Sequence, residues 1–160
     1  MHPTAQRVAD AGRRAGLELD IRQFPEGTRT AEDAARAIGC EVAQIVKSLV
    51  FMADERPVLA LVSGADRVDA RLLAEAAGAA ETRRATGHEA RSATGFAIGG
   101  VPPFGHGAQL DVLVDPGLLA HDIVWAAAGL PDAVFPISPD DLVRLSGARV
   151  TALAEARSDA

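Results

Sequence analysis

Two apolar runs joined by a short turn constrain this chain most. Ile45-Val46-Lys47-Ser48-Leu49-Val50-Phe51-Met52 is continuous and rich in β-branched residues, as a well-buried strand requires. Asp54-Glu55-Arg56-Pro57 supplies turn chemistry, and Val58 to Ser63 reads as the returning strand, so the pair is expected to form a hairpin. A hairpin at the centre of the chain, with helices scattered around it, predicts α+β architecture with a mixed, largely antiparallel sheet, not a doubly wound βαβ array.

The other elements are read from periodicity and punctuation. Thr4 to Ala15 reads as a helix stopped by Gly16, and Leu19 to Phe24 alternates as a strand. Thr30, with Asp33 three residues on, resembles a capping box opening a helix that Gly39 ends. Asp69 can cap a helix through Ala77 closed by Gly78, and a short helix is expected over Gly87 to Ser92. Strands are expected at Asp111 to Val114, Ile123 to Ala126 and Ala133 to Ile137, then a helix from Pro139 to Leu145 and a terminal strand near Val150. A length of 160 residues suits a single domain spanning 1–160.

Charge narrows the partners. Sixteen basic against 22 acidic residues leave a formal charge of −6, which argues against a general basic field for nucleic acid, so any such contact is expected to be local. The acidity is C-terminal: residues after 100 carry 3 basic and 8 acidic groups. No apolar tract is long enough to span a membrane, and the first residues do not read as a secretory leader, so the expected compartment is the cytoplasm. Cys40 is the only cysteine, which excludes an internal disulfide and a cysteine-based zinc site.

Of the 16 cations, 15 are arginine and one is Lys47. A chain that uses arginine wherever positive charge suffices has kept lysine here, where a compact, rotatable charge fits a narrow pocket that a planar guanidinium does not. Strand alternation puts Lys47 on one face with Ile45, Leu49 and Phe51, and a regular hairpin sets it opposite Ser63. A buried-face lysine either snorkels to the rim or meets a ligand's negative charge or carbonyl. The second candidate is Gly99-Gly100-Val101-Pro102-Pro103. Two glycines permit close approach and two prolines stiffen the loop after them, leaving the N–H groups of Gly99, Gly100 and Val101 as donors for a carbonyl or oxyanion.

Other constellations are missing. Neither Gly-x-Ser-x-Gly nor His-Glu-x-x-His occurs, nor any Walker or Gly-x-Gly-x-x-Gly pattern, and no cofactor is expected. His88, His106 and His121 lack metal-like spacing. Only His106, just after the Gly/Pro loop, invites attention.

Taken together, Thr30 to Gly39, Ile45 to Val50, Thr94 to Gly105, Leu113-Val114-Asp115 and Ile137 to Leu142 resemble the YbaK-type, prolyl-tRNA-synthetase-associated editing domains in order and spacing. These are free-standing deacylases of mischarged tRNA. The resemblance implies a curved sheet surrounded by helices, with a cleft between the lysine strand and the Gly/Pro loop. It carries over Lys47 as the key polar group and Gly99 to Pro103 as the loop whose backbone holds the aminoacyl carbonyl and terminal ribose. The expected catalytic groups are then Lys47, Gly99, Gly100 and Val101, and the expected substrate contacts are Thr30, Ser63, Pro102, Pro103 and Asp132. It implies hydrolysis by water and a substrate hydroxyl without a protein nucleophile, acting on a tRNA acceptor end, with an aminoacyl-tRNA synthetase as a further partner and no membrane. The chain departs from some members on its penultimate strand, Ala133-Val134-Phe135-Pro136, where a polar selector is missing and Asp132 lies at the edge; Pro136 suggests an edge or bulged strand. The competing readings are a non-catalytic module of the same fold that binds an aminoacyl-tRNA end or a synthetase, and an esterase for small molecules.

Overall fold

The computed structural model of the chain describes residues 1–25, 28, 30–107 and 109–156. The expected hairpin is its centre. Strands β2 (Val46–Ala53) and β3 (Arg56–Ser63), named after the short β1 (Arg22–Gln23), pair antiparallel along their whole length. Asp54 turns the chain with a φ of 54°, and its carboxylate accepts the amides of Ala80 and Glu81 at 3.1 and 3.2 Å. That contact docks β4 (Thr82–Arg84) onto the free side of β2, antiparallel over Phe51 to Ala53. Sequence alone does not predict a strand at Thr82–Arg84, because polar edge strands lack the apolar alternation that reveals them.

On the other side of the hairpin, β5 (Asp111–Val114) joins β3 in parallel, and further along the chain β8 (Arg149–Val150) joins β5 in parallel. The five-stranded order is β4-β2-β3-β5-β8. Strands β6 (Val124–Ala127) and β7 (Ala133–Ile137) form with β1 a second, antiparallel sheet in the order β1-β7-β6. The α+β class and the mixed, mostly antiparallel pairing are as expected, divided between two sheets that meet through a bridge of Ile45 with Trp125.

Two strand expectations need correction. Leu19 to Phe24 contributes only Arg22–Gln23, because the partner strand β7 meets it only at Ala133 and Val134. For the same reason Pro136 does not mark an edge: β7 is the central strand of its sheet, and the missing N–H of Pro136 falls on the side of β1, beyond its short reach.

The helices are α1 (Pro3–Arg14), α2 (Ala31–Ile38), α3 (Ala70–Ala77), α4 (Gly87–Thr94) and α5 (Pro139–Ser146). Their ends obey local chemistry. Thr30 caps α2 through the amide of Asp33, Asp69 caps α3 through Arg71 and Leu72, and Ser138 caps α5 through Asp141. The five-stranded sheet separates two apolar layers. Val58, Ala60, Val62 and Leu113 pack with Leu73 of α3, while Val50, Leu59, Leu61 and Val114 pack with Phe96, Phe104 and Phe135. Burying side chains of this size contributes about 1.5–3 kcal/mol each. Among the described residues no helix is long and apolar enough to cross a membrane.

Candidate active site

The cleft between the sheets exists because β4 is short. It pairs with β2 only from Phe51 to Ala53, and the Ala85 amide after it reaches only Val50 O, so the edge around Ser48 stays open. Around that edge lies a cavity of about 310 Å³, at the lower end of ligand-sized sites. Its floor is 46–50 of β2, one wall is the cap residue Thr30 with Ala31 and Ala34 of α2, and a further wall is Ile98, Gly99 and Val101. Trp125, Ala127 and Val134 close the back, and Arg84 stands at its margin. Lys47 and the Gly/Pro loop therefore line one cleft.

Lys47 is half-buried, and its ammonium donates to the main-chain oxygen of Asp66, in the segment between β3 and α3. Burial pushes its pKa below the usual 10.5; Asp66 and Glu32 oppose that shift, and Arg67 and Arg84 add to it. The opposite residue on β3 is Val62. Ser63 pairs with Val46, one position from the expected register, and its buried hydroxyl donates to the oxygen of Ala43 and accepts the amide of Ala65. Ser63 does not line the cleft.

The loop divides by function. Gly99 has a φ of 92°, open to glycine at no steric cost, and an added Cβ would meet open space. Gly100 is different: a Cβ there would lie 2.7 Å from the oxygen of Gly129 and 2.9 Å from the Cα of Leu130, so its role is close packing on the β6–β7 turn. Its amide is not a free donor, since it bonds Ala97 O at 3.0 Å. The amides of Gly99 and Val101 form no hydrogen bond among the described residues. Pro102 and Pro103 are buried behind the lining, and Asp132 also lies outside it, its carbonyl accepting the amide of Phe24.

Three lining residues carry no site signal that sequence reasoning picks out. Trp125 and Val134 read only as strand residues, and Arg84 sits in a strand the sequence does not reveal. The signal available for Arg84 is the Arg83-Arg84 pair before a capping box. Arg83 is spent on Glu89 in a two-bond pair at 2.8 Å each, which with the Thr86 amide holds the Glu89 carboxyl at about 2. Arg84 has no such acid partner among the described residues; its guanidinium lies 5.6 Å from the centre of the Phe51 ring.

The α+β fold thus brings the lysine strand and the Gly/Pro loop to one cleft. The chain belongs to the aminoacyl-tRNA editing domain family, whose model matches residues 25–145. It is similar to a crystal structure described as a candidate trans-editing enzyme for prolyl tRNA synthetase, with 45% identity, a TM-score of 0.92 and coverage of 98% of this chain and 99% of that one. It is 24% identical over 124 residues to EbsC of Enterococcus faecalis, described as a candidate Cys-tRNA(Pro)/Cys-tRNA(Cys) deacylase, covering 77% of this chain and 76% of that protein. Against the proline–tRNA ligase of Limosilactobacillus fermentum it is 31% identical over 106 residues, 63% of this chain but only 18% of the ligase.

Proposed function

We propose that this chain removes a small amino acid from a mischarged tRNA, tRNA(Pro) first among the candidates, acting in trans as one cytoplasmic editing unit. The observation that carries this is the sharing of one cleft by Lys47 and the unengaged amides of Gly99 and Val101. An aminoacyl ester is already activated, so positioning and oxyanion stabilisation suffice where no protein nucleophile is placed. Water attacks the ester carbonyl carbon, and the Gly99 and Val101 amides receive the negative charge that develops on its oxygen; one such donor can supply about 3–4 kcal/mol. The carbon–oxygen bond to the terminal ribose then breaks, the ribose oxygen takes the proton released by water, and the free amino acid leaves. The neighbouring ribose hydroxyl helps to orient the water.

Lys47 acts from the floor of the cleft, where its charge meets the ester or the terminal phosphate. Ala31, Ala34, Ala127 and Val134 leave room for a small acyl side chain. Likeness to a protein described as a candidate trans-editing enzyme for prolyl tRNA synthetase and to a proline–tRNA ligase supports tRNA(Pro). Editing is needed because one methylene gives a synthetase only about 1–3 kcal/mol of discrimination. With a net charge of −6 the protein grips the acceptor end alone, through Lys47 and Arg84. A panel of mischarged tRNAs tests the reading: turnover of at least one, lost in Lys47→Ala, is expected. Saturable binding without turnover across the panel would instead identify a binding module.

A further inference from the structure

The open edge of β2 carries a feature that the deacylation reading does not use. In an antiparallel strand the N–H and C=O of each residue point to the same side, and successive residues alternate. Ile45 O accepts the amide of Gly64 at 2.7 Å, on the β3 side, whereas Val50 O accepts the amide of Ala85 at 3.0 Å and the Asp54 amide donates to Glu81 O at 3.0 Å, on the opposite side. The N–H and C=O of Ser48 therefore point away from β3. There β4 has not yet begun, and the bridge from β6 reaches only Ile45. No strand pairs with Ser48 on that side. Its hydroxyl is also buried without a partner, and Ser48 lines the cleft.

Ser48 thus brings three polar groups to the cleft floor, its hydroxyl without a partner and its main-chain N–H and C=O on a side that no strand pairs, where buried polar groups are ordinarily paired. Two are acceptors. The facing loop offers the reverse, the amide donors of Gly99 and Val101, and the back wall is Trp125, Ala127 and Val134. An aminoacyl ester has complementary parts: a carbonyl that needs donors and an α-amino group that donates whether or not it is protonated. We propose that Ser48 holds the α-amino group of the aminoacyl ester, through its main-chain oxygen and its side-chain hydroxyl, and so sets the carbonyl against the loop.

This assignment rests on the deacylase reading, and the experiment separates the two. The aminoacyl-tRNA cleaved fastest in the panel is compared with the same tRNA carrying the des-amino acyl group, propionyl in place of alanyl for example. Each rate is divided by the uncatalysed hydrolysis rate of that ester. The acceleration is expected to fall roughly 100-fold or more for the des-amino ester, because a site built to bond an N–H is left unpaired by its absence. Ser48→Ala is expected to lower kcat/KM about tenfold on the aminoacyl substrate and to leave the des-amino substrate unchanged, with Tm preserved. Accelerations for the two esters that agree within about threefold would overturn the assignment and leave the deacylase reading standing. Equal losses on both esters in Ser48→Ala would remove the hydroxyl from it. A wild-type protein that cleaves no aminoacyl-tRNA would sink both.

Discussion

The imidazole Nε2 of His106 lies 2.7 Å from the carbonyl oxygen of Pro102. Pro102 has no N–H, so this oxygen is the point at which its peptide can be tied from behind. His106 in turn packs edge-on against Phe96, with ring centroids 6.4 Å apart at 78°, and the guanidinium of Arg7 lies 4.4 Å from the centre of the Phe96 ring. The Gly/Pro loop is therefore clamped on the side away from the cleft.

The clamp makes His106 a positioning residue. Removing it in His106→Ala is expected to lower kcat about tenfold with KM little changed, because the loop donors lose their aim while the mouth of the cleft is intact. His106→Gln, whose amide nitrogen can reach the same oxygen, is expected to restore most of that loss. Equal defects in both variants would assign His106 to packing alone.

The same residue sets an acid limit. Burial pushes His106 below its usual 6.5, against the opposing effect of the Pro102 bond. The unfolded chain therefore binds the proton first, and stability is lost as pH falls below 6.5. Urea midpoints measured from pH 7 down to pH 5 are expected to fall less in His106→Gln than in the wild type; parallel curves would contradict this.

Lys47 should show a division between stability and function. Its charge is held in a partly buried place that depresses its pKa, so its contribution to stability rises as pH climbs towards 10.5 and is unfavourable at neutral pH. Lys47→Met is expected to keep or raise the Tm at pH 7 while lowering deacylation by about 100-fold or more. A lower Tm with near-normal turnover would mark a structural lysine.

Arg84 lines the cleft and is proposed to meet a phosphate of the acceptor end. Arg84→Ala is expected to raise KM, to spare kcat and to reduce the slope of log affinity against log salt by roughly one. An unchanged slope would remove Arg84 from the tRNA contact.

The two adjacent glycines should fail differently. Gly100→Ala forces a Cβ against the main chain of Gly129 and Leu130, with an expected stability loss of about 1–3 kcal/mol. Gly99→Ala meets open space and carries only the strain of its left-handed backbone, so its expected defect is mainly in kcat. Thermal melts beside single-turnover rates distinguish them.

Legibility in the sequence tracks the reach of each signal. The hairpin, the caps at Thr30 and Asp69 and the stops at Gly39 and Gly78 are written locally, and the structure has them in place. The isolated lysine draws attention to Lys47 before any geometry, and the Gly/Pro loop declares its rigidity through composition. The register is harder: a turn one residue tighter than a sequence suggests moves every pair, which puts Val62 and not Ser63 opposite Lys47. Main-chain commitments are harder still, since nothing in the letters says that Gly100 bonds Ala97 or that β4 stops short of Ser48. The open edge, and with it the floor of the cleft, is a tertiary property.

Lys47 and the amides of Gly99 and Val101 are proposed to form one hydrolytic site for an aminoacyl ester. The most direct measurement is release of amino acid from a panel of mischarged tRNAs, tRNA(Pro) included, by the wild type and by Lys47→Ala at equal folded concentration. Rapid turnover of at least one small aminoacyl-tRNA by the wild type, lost in the variant, is the expected result. Full turnover by Lys47→Ala, or none by either protein, would contradict it.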